Sequence, residues 1–213
     1  MAEANGDRSA ADFLPEERTL EALRRAAGAC RGCHLYRDAS QTVFGEGMGR
    51  ARLVLVGEMP GNDEDLAGRP FVGPAGRVLD NALEAAGIAR EDAYVTNVVK
   101  HFKWVPRGKR RLHKTPAARE VRACLPWLRA ELDLIRPQVM VCLGATAARA
   151  LLGEEFRVSR QHGQMIDSPL APHATATLHP SAILRMRDAG ARDQALSDLV
   201  ADLEKVAGLL QDD

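Results

Sequence analysis

No run in this 213-residue chain approaches the roughly 18 to 20 consecutive apolar residues that a bilayer crossing needs, and the opening MAEANGDRSAADF lacks the apolar stretch of a secretory signal. Net charge is absent too, with 29 basic residues against 29 acidic ones, and that balance excludes a uniformly basic nucleic-acid coat. It leaves room for a local basic patch, because association responds to the nearby field and not to the total. Cysteines number only four. A chain of this length buries roughly 70% of its unfolded surface, so it has no need of disulfides to own a core. The expected compartment is the cytoplasm, where thiols stay reduced, and the cysteines call for another explanation. There is no internal repeat, low-complexity tract or interdomain linker. Residues 1–14 are small, polar and aperiodic and read as a flexible tail, followed by a single domain over 15–213.

What is present is an alternation of short apolar runs and helical patterns. ARLVLVG (51–57), AYVTNVV (93–99), QVMVCLG (138–144) and, more weakly, ATATL (174–178) have the form of buried parallel strands. PEERTLEALRRAAGA (15–29), GPAGRVLDNALEAAG (73–87), TPAAREVRACLPWLRAELDLI (115–135), ATAARALLG (145–153) and a segment near 192–210 carry helical spacing. The pattern predicts an α/β fold: a three-layer α/β/α sandwich around a four-stranded parallel sheet, with ligands at the carboxyl ends of the strands. Four polar loops fall at those ends: GEMPGNDED, Asn97 to Lys114, GAT, and HPSA.

Cys30 and Cys33 form a C-x-x-C in a loop, and Cys124 follows in a helical pattern. In a reduced protein this spacing suggests a metal or cluster site; thioredoxin-like redox chemistry is a rival that the order helix, C-x-x-C, strand does not suit. Cys142 sits within an apolar strand and reads as core. A fourth ligand can be histidine, and His101 at the exit of the second strand is the best placed. The stretch KHFKWVPRGKRRLHK (100–114) carries seven lysines and arginines, no acid, and the aromatics Phe102 and Trp104. Cations for phosphates beside aromatic faces for unstacked bases suit single-stranded or distorted DNA; a phosphorylated small molecule or an anionic protein are the other takers.

Gly57-Glu58-Met59-Pro60-Gly61, Pro70-Phe71-Val72-Gly73-Pro74-Ala75-Gly76, Thr96-Asn97-Val98-Val99-Lys100, Leu143-Gly144-Ala145 and His179-Pro180-Ser181 resemble, in order, the motifs of the iron-sulfur (family 4-like) uracil-DNA glycosylases, from about Cys30 to Leu184. Lys109-Arg110-Arg111-Leu112-His113 looks like the insertion of the UdgX branch, whose members become covalently attached to the DNA they cut. The resemblance implies uracil-containing DNA, preferably single-stranded, as the partner of a monomer acting in the cytoplasm on the nucleoid. It implies a [4Fe-4S] cluster on Cys30, Cys33, His101 and Cys124. A uracil pocket would draw on Gly57, Met59, Phe71, Asn97 and His179. Phe71 would stack on the base, Asn97 would read its polar edge, and His179 would donate to a uracil oxygen. Catalysis would fall to Glu58, His179, His113 as the nucleophile, and Arg111 as the clamp on the loop. DNA contacts would come from Lys109, Arg110, Arg111, Lys114 and Ser181. Two positions depart from the pattern: Met59 stands where relatives usually have glutamine, and Asn62 where they have an acid. The second puts Arg111's anchor in question, leaving Glu58, Asp63, Glu64 or Asp65 to hold it.

Overall fold

A computed structural model describes residues 8–211. The elements run α1 (Leu20–Ala27), β1 (Leu53–Gly57), α2 (Asn62–Ala67), α3 (Pro74–Ala85), β2 (Ala93–Asn97), β3 (Trp104–Arg107), β4 (Arg110–His113), α4 (Ala118–Ile135), β5 (Val139–Leu143), α5 (Ala145–Leu152), α6 (Val158–Gln161), β6 (Ile166–Ser168), β7 (Ala171–Thr177), α7 (Pro180–Leu184) and α8 (Ala189–Gln211). The main sheet has the order β2-β1-β5-β7-β6. Its first four strands are the expected parallel set, and β6 adds an antiparallel edge. The expected count of four is therefore corrected to five. The extra strand, Ile-Asp-Ser, is short and largely polar, so no apolar run announced it.

Strand alternation divides the core between the two faces. Val54 and Val56 of β1 join Met140 and Cys142 of β5 with Leu23, Trp127 and Leu128 of the helices on one side. Leu53 and Leu55 join Val139, Val141 and Leu143 with Leu79, Leu83, Leu199 and Leu203 on the other. Helices on both faces give the three-layer sandwich, and Cys142 is fully buried in its centre.

The expected tail is shorter than 1–14. Ala10–Phe13 form a 3₁₀ turn capped by Ser9, whose hydroxyl accepts the Ala11 N–H at 3.1 Å. Ala10 is completely buried in the cluster that includes Cys30 and Trp127. Residues 1–7 of the expected tail lie outside the described residues.

The basic stretch is likewise built and not loose. β3 and β4 pair as an antiparallel hairpin, Trp104 with His113, Val105 with Leu112, Pro106 with Arg111 and Arg107 with Arg110, around a turn in which Gly108 has φ +59°. Pro106 is tolerated because β3 has a partner on one side only.

A buried ion pair ties β2 to α4. Lys100, just beyond β2, donates from Nζ to Thr96 Oγ1 at 2.6 Å, to the Asn97 carbonyl at 2.9 Å and to Glu131 on α4. Glu131 also accepts from Tyr94 Oη at 2.9 Å and the Gly45 N–H at 3.1 Å. Both charges are shut off from water, so removing one leaves the other uncompensated. Lys100→Met is expected to cost about 3 to 5 kcal/mol in urea melts, and a double change of Lys100 and Glu131 to apolar residues less than the single one.

Candidate active site and metal centre

A cleft of about 800 Å³ opens at the carboxyl ends of the parallel strands, where the fold class places ligands. Its lining includes Glu58, Met59, Phe71, Asn97, Leu112, His113, His179, Ser181 and Arg185. Five separate chain segments, from residues 58, 71, 97, 113 and 179, thus meet in one cavity.

The floor is shaped by close approach. Phe71 has φ +55°, uncommon for a bulky residue. A Cβ on Gly76 would stand 1.8 Å from the Phe71 carbonyl oxygen, and one on Gly57 would stand 2.3 Å from Asn97 Oδ1 and 2.7 Å from the Phe71 ring. Gly57 therefore lies behind the pocket and lets Phe71 and Asn97 close on each other. The Phe71 ring is nearly parallel to the His179 ring, at 26° with centroids 6.0 Å apart. Asn97 is buried, and its Oδ1 has no hydrogen-bond partner among the described residues. An orphaned buried carbonyl facing a cleft is a polar group held for a ligand.

His179 caps α7. Its Nδ1 accepts the Ser181 N–H at 3.1 Å and lies 2.9 Å from Ser181 Oγ. A backbone N–H can only donate, so Nδ1 is bare and Nε2 carries the ring proton. Burial, with Arg185 and His113 nearby, pulls its pKa down to about 4, so the ring is a neutral donor at pH 7. Ser181 thus sets the tautomer of His179, a role closer to the chemistry than the DNA contact expected of it.

His113 ends β4 and places Nε2 3.4 Å from Glu58 Oε1. Burial is the largest influence on His113 and lowers its pKa; Glu58 opposes it and Arg185 adds to it. The second carboxylate oxygen of Glu58 accepts from the Thr146 hydroxyl on α5, which orients it. Arg111 faces inward: Nη1 donates to Asp65 Oδ2 at 2.6 Å and to Ser40 Oγ at 3.1 Å, and Nε donates to Asn62 Oδ1 at 2.9 Å. Asp65 is the carboxylate that holds Arg111, and Asn62 remains an anchor through its amide oxygen. The guanidinium also lies over Phe102 and Trp104, 5.4 and 5.6 Å from their centroids. These contacts tie the hairpin to Ser40 and to α2. Lys109, Arg110 and Lys114 are exposed along the hairpin, outside the cleft lining.

The thiols lie on the flank of the same hairpin. Cys30 and Cys124 are buried, and Cys33 is half-buried. Burial pushes Cys124 up to about 12 against the pull of Lys100, and Cys33 and Cys30 lie near enough to add smaller upward contributions. Cys124 Sγ accepts the Lys100 N–H at 3.2 Å. His101 is buried and follows Lys100, whose N–H meets Cys124, with Nε2 2.9 Å from Thr42 Oγ1. Thr42 gives its only hydroxyl proton to the Ala27 carbonyl, so it accepts from Nε2–H and leaves Nδ1 of His101 bare for a metal. Among the described residues no three His, Cys, Asp or Glu converge around a single ion. A four-iron cluster has one ligand to each iron and imposes no such convergence. Two buried thiols, a half-buried one and a bare imidazole nitrogen supply four soft or borderline donors, a set that fits a cluster.

The comparisons agree with this geometry. A family model described as the uracil DNA glycosylase superfamily matches residues 44–204. The chain belongs to the uracil DNA glycosylase superfamily. Within the superfamily it is 37% identical to the Type-4 uracil-DNA glycosylase of Thermotoga maritima, over 86% of this chain and 92% of that protein. It is 34% identical to the Type-4 uracil-DNA glycosylase of Archaeoglobus fulgidus, over 90% and 93%. A Type-5 uracil-DNA glycosylase of Thermus thermophilus is 30% identical over 80% and 82%. Met59 is buried and contributes an apolar wall to the cleft. Asp65 is one of the four carboxylates the sequence offered as the anchor of Arg111, whereas Thr146, Ser40 and Arg185 were not singled out from the sequence. Only Asp65 sat in a motif read as functional by its carboxylate; a lone threonine after GA or a serine before a strand carries no signal of its own.

Proposed function

We propose that the protein excises uracil from DNA, preferably single-stranded, by breaking the N-glycosidic bond, and that His113 then remains bonded to the sugar. The observation that carries this reading is the His113–Glu58 pair inside a cleft that also holds Phe71, Asn97 and His179. Uracil flipped from the stack would lie on Phe71, with Asn97 meeting its N3–H and a carbonyl oxygen. Unpaired substrate avoids a few kcal/mol of unstacking and unpairing. The imidazole lone pair bonds to C1′ as the C1′–N1 bond breaks, and the electrons leave on uracil, steadied by the Nε2–H of His179. The ring N–H proton passes to Glu58 and from there neutralises the uracil anion. Such an adduct would be that of the UdgX branch, with the chain acting as a monomer in the cytoplasm on the nucleoid. Lys109, Arg110 and Lys114 would hold phosphates and Arg111 would keep the hairpin closed.

The test is a denaturing gel after incubation with uracil oligonucleotide: one slow band per protein chain supports the reading, and free abasic DNA with recycled protein contradicts the adduct. Asn97→Asp should lose uracil excision, and the unchanged protein should leave thymine and normal cytosine in place.

A [4Fe-4S] cluster on Cys30, Cys33, His101 and Cys124 would supply a cross-link and one-electron redox chemistry. We read its role as structural, since His101 leads directly into Phe102, whose ring lies 6.2 Å from that of His113. Purified protein should be brown with about four irons per chain. Cys124→Ser should lose iron and melt earlier, while Cys142→Ser should keep its iron; colourless, fully active protein would contradict the site.

A further inference from the structure

The hairpin has two faces, and the chemistry above uses one. Trp104 turns inward and donates from Nε1 to the Asp38 carbonyl at 2.8 Å, Arg111 to Asp65, and His113 toward Glu58. Alternation along β3 and β4 puts Val105, Leu112, Arg107 and Arg110 on the other face, where Val105 pairs with Leu112 and Arg107 with Arg110. Val105 is 44% and Leu112 36% exposed, and Leu112 also lines the cleft mouth beside His113. A cross-strand apolar pair turned to water adds nothing to the core. Here it borders two arginines and Lys109 at the tip, with no acid anywhere in residues 103–114. Apolar surface framed by cations on a two-stranded ribbon complements a polymer with flat apolar faces and an anionic backbone.

We propose that Val105 and Leu112 form a platform for the base next to the extruded uracil in the same strand, with Arg107 and Arg110 on the phosphates just beyond. The proposal rests on the uracil-excision reading and extends it to the neighbouring nucleotide. Extrusion leaves that neighbour with one bare face. Leu112 is one strand residue from His113, about 3.4 Å of rise, close to the roughly 3.4 Å step between stacked bases. Leu112 also lines the cleft mouth with His113, so when His113 reaches the anomeric carbon Leu112 stands at the rim past which the neighbouring nucleotide must run. Arg110 lies two residues further, roughly 6.7 Å along the ribbon, within reach of that nucleotide's phosphate or the next.

The test is a thermodynamic cycle on the full chain. Affinity is measured for single-stranded oligonucleotides carrying an uncleavable 2′-fluoro deoxyuridine, flanked on either side by a normal base or by a reduced abasic residue. The unchanged protein should lose about fivefold to tenfold when the base on one side is removed, the value of burying a few tens of Å². The double variant Val105→Thr, Leu112→Thr, which keeps strand-favouring residues, should bind both oligonucleotides alike; Leu112→Ala should lose most of the difference. Arg107→Gln with Arg110→Gln should lower the slope of log affinity against log salt by roughly 1.4, two single-strand phosphates. An undiminished neighbour effect in both apolar variants would overturn the proposal. So would an effect confined to duplex, which would put the pair in the gap left by the flipped base. If uracil and thymine oligonucleotides bind equally, the excision reading fails and this one with it; intact uracil preference without coupling sinks this one alone.

Discussion

Replacing His113 with alanine is expected to eliminate the denaturation-resistant protein–DNA adduct while uracil release continues. His113 Nε2 stands 3.4 Å from Glu58 Oε1, so the proposed nucleophile and its proposed proton acceptor are paired before substrate arrives. Burial lowers the imidazole pKa below its ordinary value near 6.5, and the neutral, nucleophilic form therefore dominates at pH 7. On the proposed mechanism the ring, once bonded to the sugar, would occupy the side from which water attacks, and the protein should act once. Truncation to alanine opens that side, so a stoichiometric reaction should become a turnover one. Glu58→Gln should slow both outcomes by roughly 10²- to 10⁴-fold, because proton acceptance precedes their divergence. The sign of the pH dependence follows from the lowered pKa: adduct formation should be flat above it and fall about tenfold per unit as pH drops through it, below 6.5. Excision by His113→Ala should lack that limb. Gel time courses across pH check both statements. A cross-link mapped to Lys109 or Lys114 and reducible by borohydride would give the chemistry to a Schiff base.

The residues that were legible in the sequence are those whose signal is local. β1 and β5 are continuous apolar runs because both faces of the sheet are covered, whereas α3, α4 and α5 show helical spacing because each buries one face against it and leaves the other to water. The cleft residues Glu58, Asn97 and His179 could be placed because each follows a strand whose carboxyl end the topology sends to one edge. The hairpin was hidden because both its faces carry cations and Pro106 interrupts it; its order comes from Arg111 reaching Ser40, Asn62 and Asp65, residues 46 to 71 positions away. The turn at Ala10–Phe13 was hidden in the same way, since a polar stretch that buries one alanine has no period to read. Thr146 meets Glu58 across 88 positions, a partner visible only once the fold brings them together, whereas Ser181 stood in the His179-Pro180-Ser181 motif and only its contact with the ring awaited the structure.

His179→Ala is expected to lower the single-turnover rate of uracil excision by about 10²- to 10³-fold, with a smaller effect on DNA affinity, since the hydrogen bond strengthens only as charge gathers on the departing base. The donor is a neutral imidazole whose proton is fixed on Nε2 by the Ser181 N–H at Nδ1. Ser181→Ala keeps that backbone bond and removes only the hydroxyl, so its effect should be under about tenfold. With a pKa of about 4 in the folded protein, His179 adds no pH dependence to the rate between pH 5 and 9. It does add one to stability. Between about 4 and the ordinary value near 6.5 the unfolded chain binds the extra proton, so stability falls as pH falls through that window, by up to about 3 kcal/mol. Protonating the folded ring would require Nδ1 to give up the α7 cap, the physical link between the two effects. Urea melts from pH 4 to 6.5 should show this slope in the unchanged protein and a shallower one in His179→Ala. An equal slope in both would mean that the imidazole is not held neutral, and the assignment of His179 as the neutral donor would fall with it.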